Sequence, residues 1–278
     1  MRISKSHTRI LAAALLALAL AGCGAKDLQP AVQTGGFSVD FLSTGKSDCA
    51  VICLEDLVIL SDTADANDYE EIAALLTRRG IERIDYIILS HYDRDHIGSA
   101  GELIRSFSVG AVLRPDYVEN SDEFRDMESA VAQTGTKDIV LTEDYLIKTE
   151  NGSVKVDPPD KNYGDDNNNS MLTTVTYKGC RALFLGDARK KRMEEFLSVA
   201  ESAYDLVKLP HHGDSNKPLL LLLQQTRPAW AVEMISRDEA VETDLAELLS
   251  EIGTKLFCTR DGSIHAVWAD GALSVTQK

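Results

Sequence analysis

The segment that constrains this chain most is Ser90-His91-Tyr92-Asp93-Arg94-Asp95-His96, directly after the apolar stretch Ile84–Leu89. That stretch of large and β-branched residues reads as a buried strand, and a helical pattern begins at Ile97. Four side chains able to ligate a metal therefore fall on one strand-to-helix turn, at i, i+2, i+4 and i+5 from His91. A turn at such a junction can point several side chains into one cleft, and imidazole with carboxylate suits zinc, iron or manganese. A lone histidine is more often structural; four donors on one turn predict a metal site.

The remainder is patterned as alternating strands and helices. Phe37–Leu42 alternates as a strand, and Ala50–Leu54 with Leu57–Leu60 forms a hairpin around Glu55-Asp56. A helix over Tyr69–Arg79 ends at Gly80, and one continuous helix is expected over Ile97–Phe107. A strand at Ala111–Leu113, a helix over Asp122–Gln133 and short strands near Ile139–Val140, Tyr145–Ile147 and Val154–Val156 follow. Residues 157–170, DPPDKNYGDDNNNS, lack apolar periodicity and read as a loop. Beyond it come a hairpin (Leu172–Tyr177, Ala182–Leu185), a helix over Lys190–Ala200, and the strand Leu206–Leu209. Helix Pro218–Gln225, strand Trp230–Met234, helix Asp244–Ile252 and three closing strands complete the order. Hairpin strands followed by strand–helix units, twice over, predict an α/β fold. Two mixed sheets pack face to face with helices outside, a four-layer αββα sandwich of two similar halves.

The N-terminus carries an address. Arg2, Lys5 and Arg9 precede an apolar run that is too short for a comfortable membrane span and ends Leu20-Ala21-Gly22-Cys23. This resembles a lipoprotein lipobox. The expected organisation is a signal peptide over 1–22, a lipidated tether over 23–35 starting at Cys23, and one hydrolase domain over 36–278. The protein is then held at the extracytoplasmic face of the cell membrane. Formal charge is −15 over 278 residues; removing residues 1–22 takes away three basic residues and no acidic one, leaving −18. So acidic a balance argues against tight sequence-independent nucleic-acid binding, although bound metal ions can override it locally. Cys49, Cys53, Cys180 and Cys258 can be small buried residues or, outside the cytoplasm, disulfide partners. None has CxxC spacing, so no cysteine zinc site is expected.

Further motifs follow the first. Phe184-Leu185-Gly186-Asp187 ends a strand in Gly-Asp, and Leu209-Pro210-His211-His212-Gly213 ends another in paired histidines. Taken with His-x-Asp-x-Asp-His-Ile-Gly, and with Leu60-Ser61-Asp62-Thr63 earlier, the set resembles the metallo-β-lactamase superfamily from Phe37 to about Val275. Asn167-Asn168-Asn169-Ser170-Met171 and Thr259-Arg260-Asp261-Gly262 narrow the likeness to the hydrolase domain of ComEC-type DNA-uptake proteins and their stand-alone relatives.

The resemblance implies two divalent metals, zinc foremost with manganese or iron as alternatives. His91, Asp93 and a bridging Asp187 would form the first site. Asp95, His96, Asp187 and one of His211 and His212 would form the second, the spacing favouring His212. Asp93 stands where the family has a second histidine, and the usual isolated third histidine is absent. Asn167, Asn169, one of Asp165 and Asp166, or water is left to fill that space, with Asn167 and Asn169 expected to face substrate. Paired metals lower the pKa of a shared water and stabilise attacking and leaving oxygens. Asp95 orients that nucleophile, Asp187 bridges, and His211 is a leaving-group acid. The expected function is phosphodiester hydrolysis, on a small molecule or a nucleic acid. Other readings are hydrolysis of another ester, such as a phosphocholine ester, or of a β-lactam, and a non-catalytic metal-binding lipoprotein. No protein partner is inferable.

Overall fold

The structure, a computed structural model, describes residues 36–278. The expected signal segment and tether, with Cys23, lie outside the described residues. The first half runs β1 (Phe37–Phe41), β2 (Ala50–Leu54), β3 (Leu57–Ser61), α1 (Tyr69–Arg78), β4 (Arg83–Ile88), α2 (Arg94–Ile97), α3 (Ala100–Ser106), β5 (Ser108–Pro115), α4 (Asp122–Thr134) and β6 (Lys137–Leu141). The second runs β7 (Tyr145–Lys148), β8 (Gly152–Asp157), β9 (Leu172–Tyr177), β10 (Cys180–Phe184), α5 (Lys190–Leu197), β11 (Leu206–Lys208), α6 (Lys217–Thr226), β12 (Trp230–Glu233), α7 (Thr243–Ile252) and β13 (Lys255–Cys258). The last two strands, β14 (Ile264–Ala269) and β15 (Ala272–Gln277), return to the first sheet, where β14 pairs with β1 and β15 with β14.

The sheet orders are β15-β14-β1-β2-β3-β4-β5-β6 and β13-β12-β11-β10-β9-β8-β7. Each mixes antiparallel hairpins with a parallel run: β3 to β6 in one, β10 to β13 in the other. Alternation decides which faces meet. Phe37, Val39 and Phe41 of β1 enter the core between the sheets with Val175, Tyr177 and Phe184; Phe41 and Phe184 stack across it with centroids 5.9 Å apart. Two outer clusters bury the helices' apolar faces. Ile72, Leu76, Leu103 and Phe124 pack on the first sheet, and Met193, Leu219, Leu222 and Leu245 on the second. Each fully buried side chain of this kind contributes about 1.5–3 kcal/mol. The four-layer αββα sandwich read from the sequence is the observed architecture.

Two local features bear on function. The helix expected over Ile97–Phe107 is split. Asp95 and His96 already belong to α2, and the chain leaves helical geometry at Ser99 (φ −90°, ψ 0°), whose hydroxyl donates to Asp65 O at 2.7 Å. Gly98 allows this turn to lie against the 65–66 backbone, since a Cβ there would fall 2.4 Å from Ala66 N. Residues 157–170 form the expected loop, with one short turn at Asn167–Asn169, and it is tied down as a strap. Buried Arg192 donates through Nε to Ser170 O at 3.0 Å and pairs with Asp157 and Glu195. Cys49, Cys53, Cys180 and Cys258 are buried and free. Among the described residues no helix is long and apolar enough to cross a membrane.

Candidate metal centre

The carboxyl ends of the parallel strands in both sheets converge on one cleft, where open α/β sheets place their ligands. β3 delivers Asp62, β4 delivers Ser90 to His96, β10 delivers Asp187, β11 delivers His211 and His212, and β12 delivers Met234. Local backbone is strained where side chains must turn inward. Asp62 (φ 58°), His211 (φ 46°) and His212 (φ 54°) are non-glycine residues in the left-handed region, a cost of order 1–3 kcal/mol each that clusters at functional sites. Gly186 (φ 50°), just before Asp187, touches the opposite half so closely that a Cβ would sit 2.7 Å from Ser90 Cβ.

Hydrogen bonds fix the orientation of three imidazoles. Asp62 accepts from Ser90 N (2.7 Å) and Ser90 Oγ (2.8 Å) and receives His96 Nδ1 at 3.0 Å. With its hydroxyl hydrogen committed to Asp62, Ser90 Oγ is left to accept from His91 Nδ1, 2.9 Å away. His212 Nδ1 donates to the Met234 carbonyl at 2.9 Å. This network assigns the Nδ1–H tautomer to all three rings. Their Nε2 atoms therefore point outward as lone pairs, and what they meet is carboxylate oxygen. His91 Nε2 is 3.3 Å from Asp93 Oδ2, and His96 Nε2 is 3.2 Å from Asp187 Oδ2. His212 Nε2 is 3.3 Å from Asp187 Oδ2 and 3.5 Å from Asp95 Oδ2. His91 Nε2 and His96 Nε2 are buried without a hydrogen-bond partner. Lone pairs aimed at carboxylate oxygens repel unless a cation lies between them, so the donor set fits divalent metal.

The electrostatics agree. Burial disfavours charge on His96 and His212, yet Asp187 with Asp62, and Asp187 with Asp95, raise their proton affinity above that of an ordinary imidazole. Burial opposes the Asp187 charge, but His96 and His212 hold its carboxyl well below the usual range. His91 keeps the Asp93 carboxyl low. The cleft demands positive charge, from protons or from metal.

Donor atoms converge within 4.8 Å in three groups among the described residues: His91, His96 and Asp187; Asp95, His96 and His212; Asp48, Asp62 and His96. His91, Asp95, His96, Asp187 and His212 are thus brought together. Asp93 lies beside His91 at the rim and outside these groups. His211 is set apart as well. Its backbone N–H donates to Asp187 Oδ1 (3.1 Å), its Nδ1 meets Asp214 (3.0 Å), and its Nε2 accepts from the Arg189 guanidinium (3.0 Å). In this arrangement the ring proton of His211 faces Asp214. Asn167 to Asn169 form a short turn on the strap. Asn168 caps α5 by accepting from Lys191 N and Arg192 N, while the Asn169 side chain bonds Tyr163 N and Asn162. Asn169 also lines a cavity of about 180 Å³ with Tyr117, Lys161 and Asn162. Asp166 stands near enough to Asp93 and His91 for their charges to interact.

Four further residues complete the site. Asp62 orients His96. Asp48 and Lys208 form a buried ion pair on the floor, and the Lys208 ammonium also donates to Gly186 O at 3.0 Å and lies 3.9 Å from Asp187 Oδ1. Burial pushes the Lys208 amine down to about 7. A lysine so enclosed cannot meet substrate. Arg189 is the fourth. Asp62 is visible in the sequence as part of the Leu60-Ser61-Asp62-Thr63 motif, directly after a strand.

The sequence profile of the Metallo-beta-lactamase superfamily matches residues 42–232. ComE operon protein 3 of Bacillus subtilis is 26% identical over 159 residues, 56% of this chain and 20% of that protein. Recombination protein 2 of Haemophilus influenzae is 25% identical over 201 residues, 70% of this chain and 24% of that protein. The chain thus spans between a fifth and a quarter of these relatives' length. The metallo-beta-lactamase fold protein YhfI from Bacillus subtilis superposes with a TM-score of 0.55 at 11% identity, covering 86% of this chain and all of that one. Igni18, a metallo hydrolase from Ignicoccus hospitalis, gives 0.51 at 15% identity over 87% of this chain and 99% of that one. These two likenesses are likenesses of fold.

Proposed function

Because the chain belongs to the metallo-β-lactamase superfamily, we propose that it is a metal-dependent hydrolase that cleaves phosphodiester bonds. The observation that carries this reading is the convergence of His91, His96 and His212 Nε2 lone pairs on the carboxylates of Asp93, Asp95 and Asp187. His91 and Asp187, with Asp93 at the rim, would hold one divalent ion, and Asp95, His96, His212 and Asp187 would hold the other, zinc foremost with manganese or iron as alternatives. Divalent ions there supply Lewis acidity and a water of lowered pKa. The chain supplies position. Asp187 Oδ1 is occupied by His211 N–H, so Oδ2 faces His96 and His212. Asp62 and Met234 O lock the rings, and Asp95, half-exposed at the rim, orients the attacking water. Such preorganised geometry needs no rearrangement during reaction. Similarity to ComE operon protein 3 and Recombination protein 2 supports a phosphodiester over a lactam.

Incubation with bis-p-nitrophenyl phosphate, single-stranded DNA and a chromogenic cephalosporin, each across Mn²⁺, Zn²⁺ and Mg²⁺, tests the assignment. Hydrolysis of the phosphodiesters, abolished by chelator, is expected. Turnover of the cephalosporin with both phosphodiesters inert would overturn it. The same reading places the chemistry at the extracytoplasmic face through lipid on Cys23. Labelling with a radioactive fatty acid should mark the wild type and not Cys23→Ser; equal labelling removes the anchor.

A further inference from the structure

We propose that Arg189 is a specificity-determining residue that binds a second anionic group of the substrate, next to the scissile phosphodiester. This rests on the phosphodiester reading and adds a substrate class: a phosphodiester flanked by another phosphate rather than an isolated diester.

Charge around the cleft sets the problem. The chain carries 44 acidic against 29 basic residues, and the rim of the site is acidic, with Asp93, Asp95 and Asp214 all part-exposed. Divalent ions, when bound, would answer the charge of the phosphoryl group that reacts. A neighbouring anion lies beyond that compensation and faces the rim carboxylates, so it needs a cation of its own.

Arg189 is the group placed to supply it. It begins an exposed run, Arg189-Lys190-Lys191, two residues after Asp187. In an acidic protein an arginine usually finds a carboxylate. Arg192, three residues on, has two. Among the described residues Arg189 makes no ion pair; its guanidinium donates instead to the neutral face of an imidazole, His211 Nε2 at 3.0 Å. That ring is held at Nδ1 by Asp214 and through its backbone by Asp187. The guanidinium is therefore fixed one imidazole away from the carboxylate that faces His96 and His212. It spends one donor on His211 and keeps the rest of its planar fork, which matches two phosphate oxygens. Of its neighbours, Lys190 is engaged with Glu194 at 3.8 Å, and Lys191 is exposed.

Two substrates that differ by one phosphate provide the test: thymidine 5′-(p-nitrophenyl phosphate) with and without a 3′-phosphate. The metal-loaded wild type should show a KM lower by about tenfold or more for the bisphosphate, the scale of a charge-assisted hydrogen-bonded pair. Arg189→Met should erase that preference with little change in kcat, and Arg189→Lys should restore part of it. A merely structural role for Arg189 would lower kcat on both substrates alike and leave their KM ratio intact; that result overturns the inference. A wild type that hydrolyses neither substrate fails the phosphodiester reading instead. Calorimetric binding of thymidine 3′,5′-bisphosphate to wild type and Arg189→Met, metal-loaded and chelator-treated, then decides Arg189 separately. Weaker binding by the variant supports the inference; equal affinity, or no binding by the wild type, overturns it.

Discussion

The two walls of the cleft are built in opposite ways. The wall from the first sheet concentrates His91, Asp93, Asp95 and His96 on one turn and backs them with Asp62 and Ser90, a shell in which each imidazole Nδ1 has a partner. The wall from the second sheet gathers single residues from separate strands: Asp187 after β10, His211 and His212 after β11, and Met234 after β12. It holds them through backbone, with consecutive left-handed residues at His211 and His212 and the Met234 carbonyl as the anchor of the ring. The first wall is ordered by side chains, the second by main chain. Asp187 is where they meet, 3.2 Å from His96 of one wall and 3.3 Å from His212 of the other.

Removing the meeting point should therefore have the largest effect. Asp187→Ala takes a carboxylate from both groups of ligands and leaves the imidazoles without a shared counter-charge. Loss of about a thousandfold or more in phosphodiester turnover is expected, the scale of losing a preorganised electrostatic contact, with metal content by mass spectrometry falling towards zero. Full activity in this variant would show that the chemistry lies elsewhere.

The two proposed metal sites should then separate. Asp93 is 41% exposed at its side chain, whereas His212 is 5% exposed. A ligand open to water releases its ion more readily, so His212→Ala should empty the enclosed site and cost more activity than Asp93→Asn, which should leave one tightly held ion per chain. Equal loss of metal in the two variants would erase the distinction between the sites.

Asp62 probes the side-chain-ordered wall without replacing a proposed ligand of either catalytic ion. Asp62→Asn weakens the acceptor for His96 Nδ1 and for Ser90, so metal affinity should drop about 10- to 100-fold, as is usual when a partner behind a ligating histidine is lost. Competition with a chromogenic chelator reads this directly. No change would mean that packing alone orients His96.

The same contrast governs how much the sequence disclosed. The first wall was legible because its donors are contiguous and follow an unmistakable strand, and the fold class followed from the order of hairpins and strand–helix units. Asp187 and His212 were legible only as parts of a familiar order of motifs. The contacts of Asp62, Asp48, Lys208 and Arg189 were not legible, because folding creates each of them. Asp62 reaches Ser90 across 28 residues and Lys208 reaches Asp48 across 160, and no local pattern encodes such a pairing. The 157–170 segment was legible as a loop, but what ties it down was not. Its composition is that of a loop, and what orders it is Arg192, buried on a helix that reads as amphipathic and ordinary.

The smallest effect concerns what lies beneath the strained turn of the second wall. Glu233, at the end of β12, is buried against Gly213, where a Cβ would fall 2.2 Å from Glu233 Oε1. Burial raises its carboxyl from 4.5 to about 7, with Cys258 and Arg260 opposing the shift. Between these two values the folded chain holds a proton that the unfolded chain has released. Stability from this group is therefore fully present below about pH 4.5, falls as pH rises, and is lost by about pH 7. Glu233→Gln keeps the shape and removes the titration. Thermal melts of the chelator-treated chain should show the wild type losing stability relative to the variant across that window, and a constant difference would place the charge of Glu233 in water rather than under the turn.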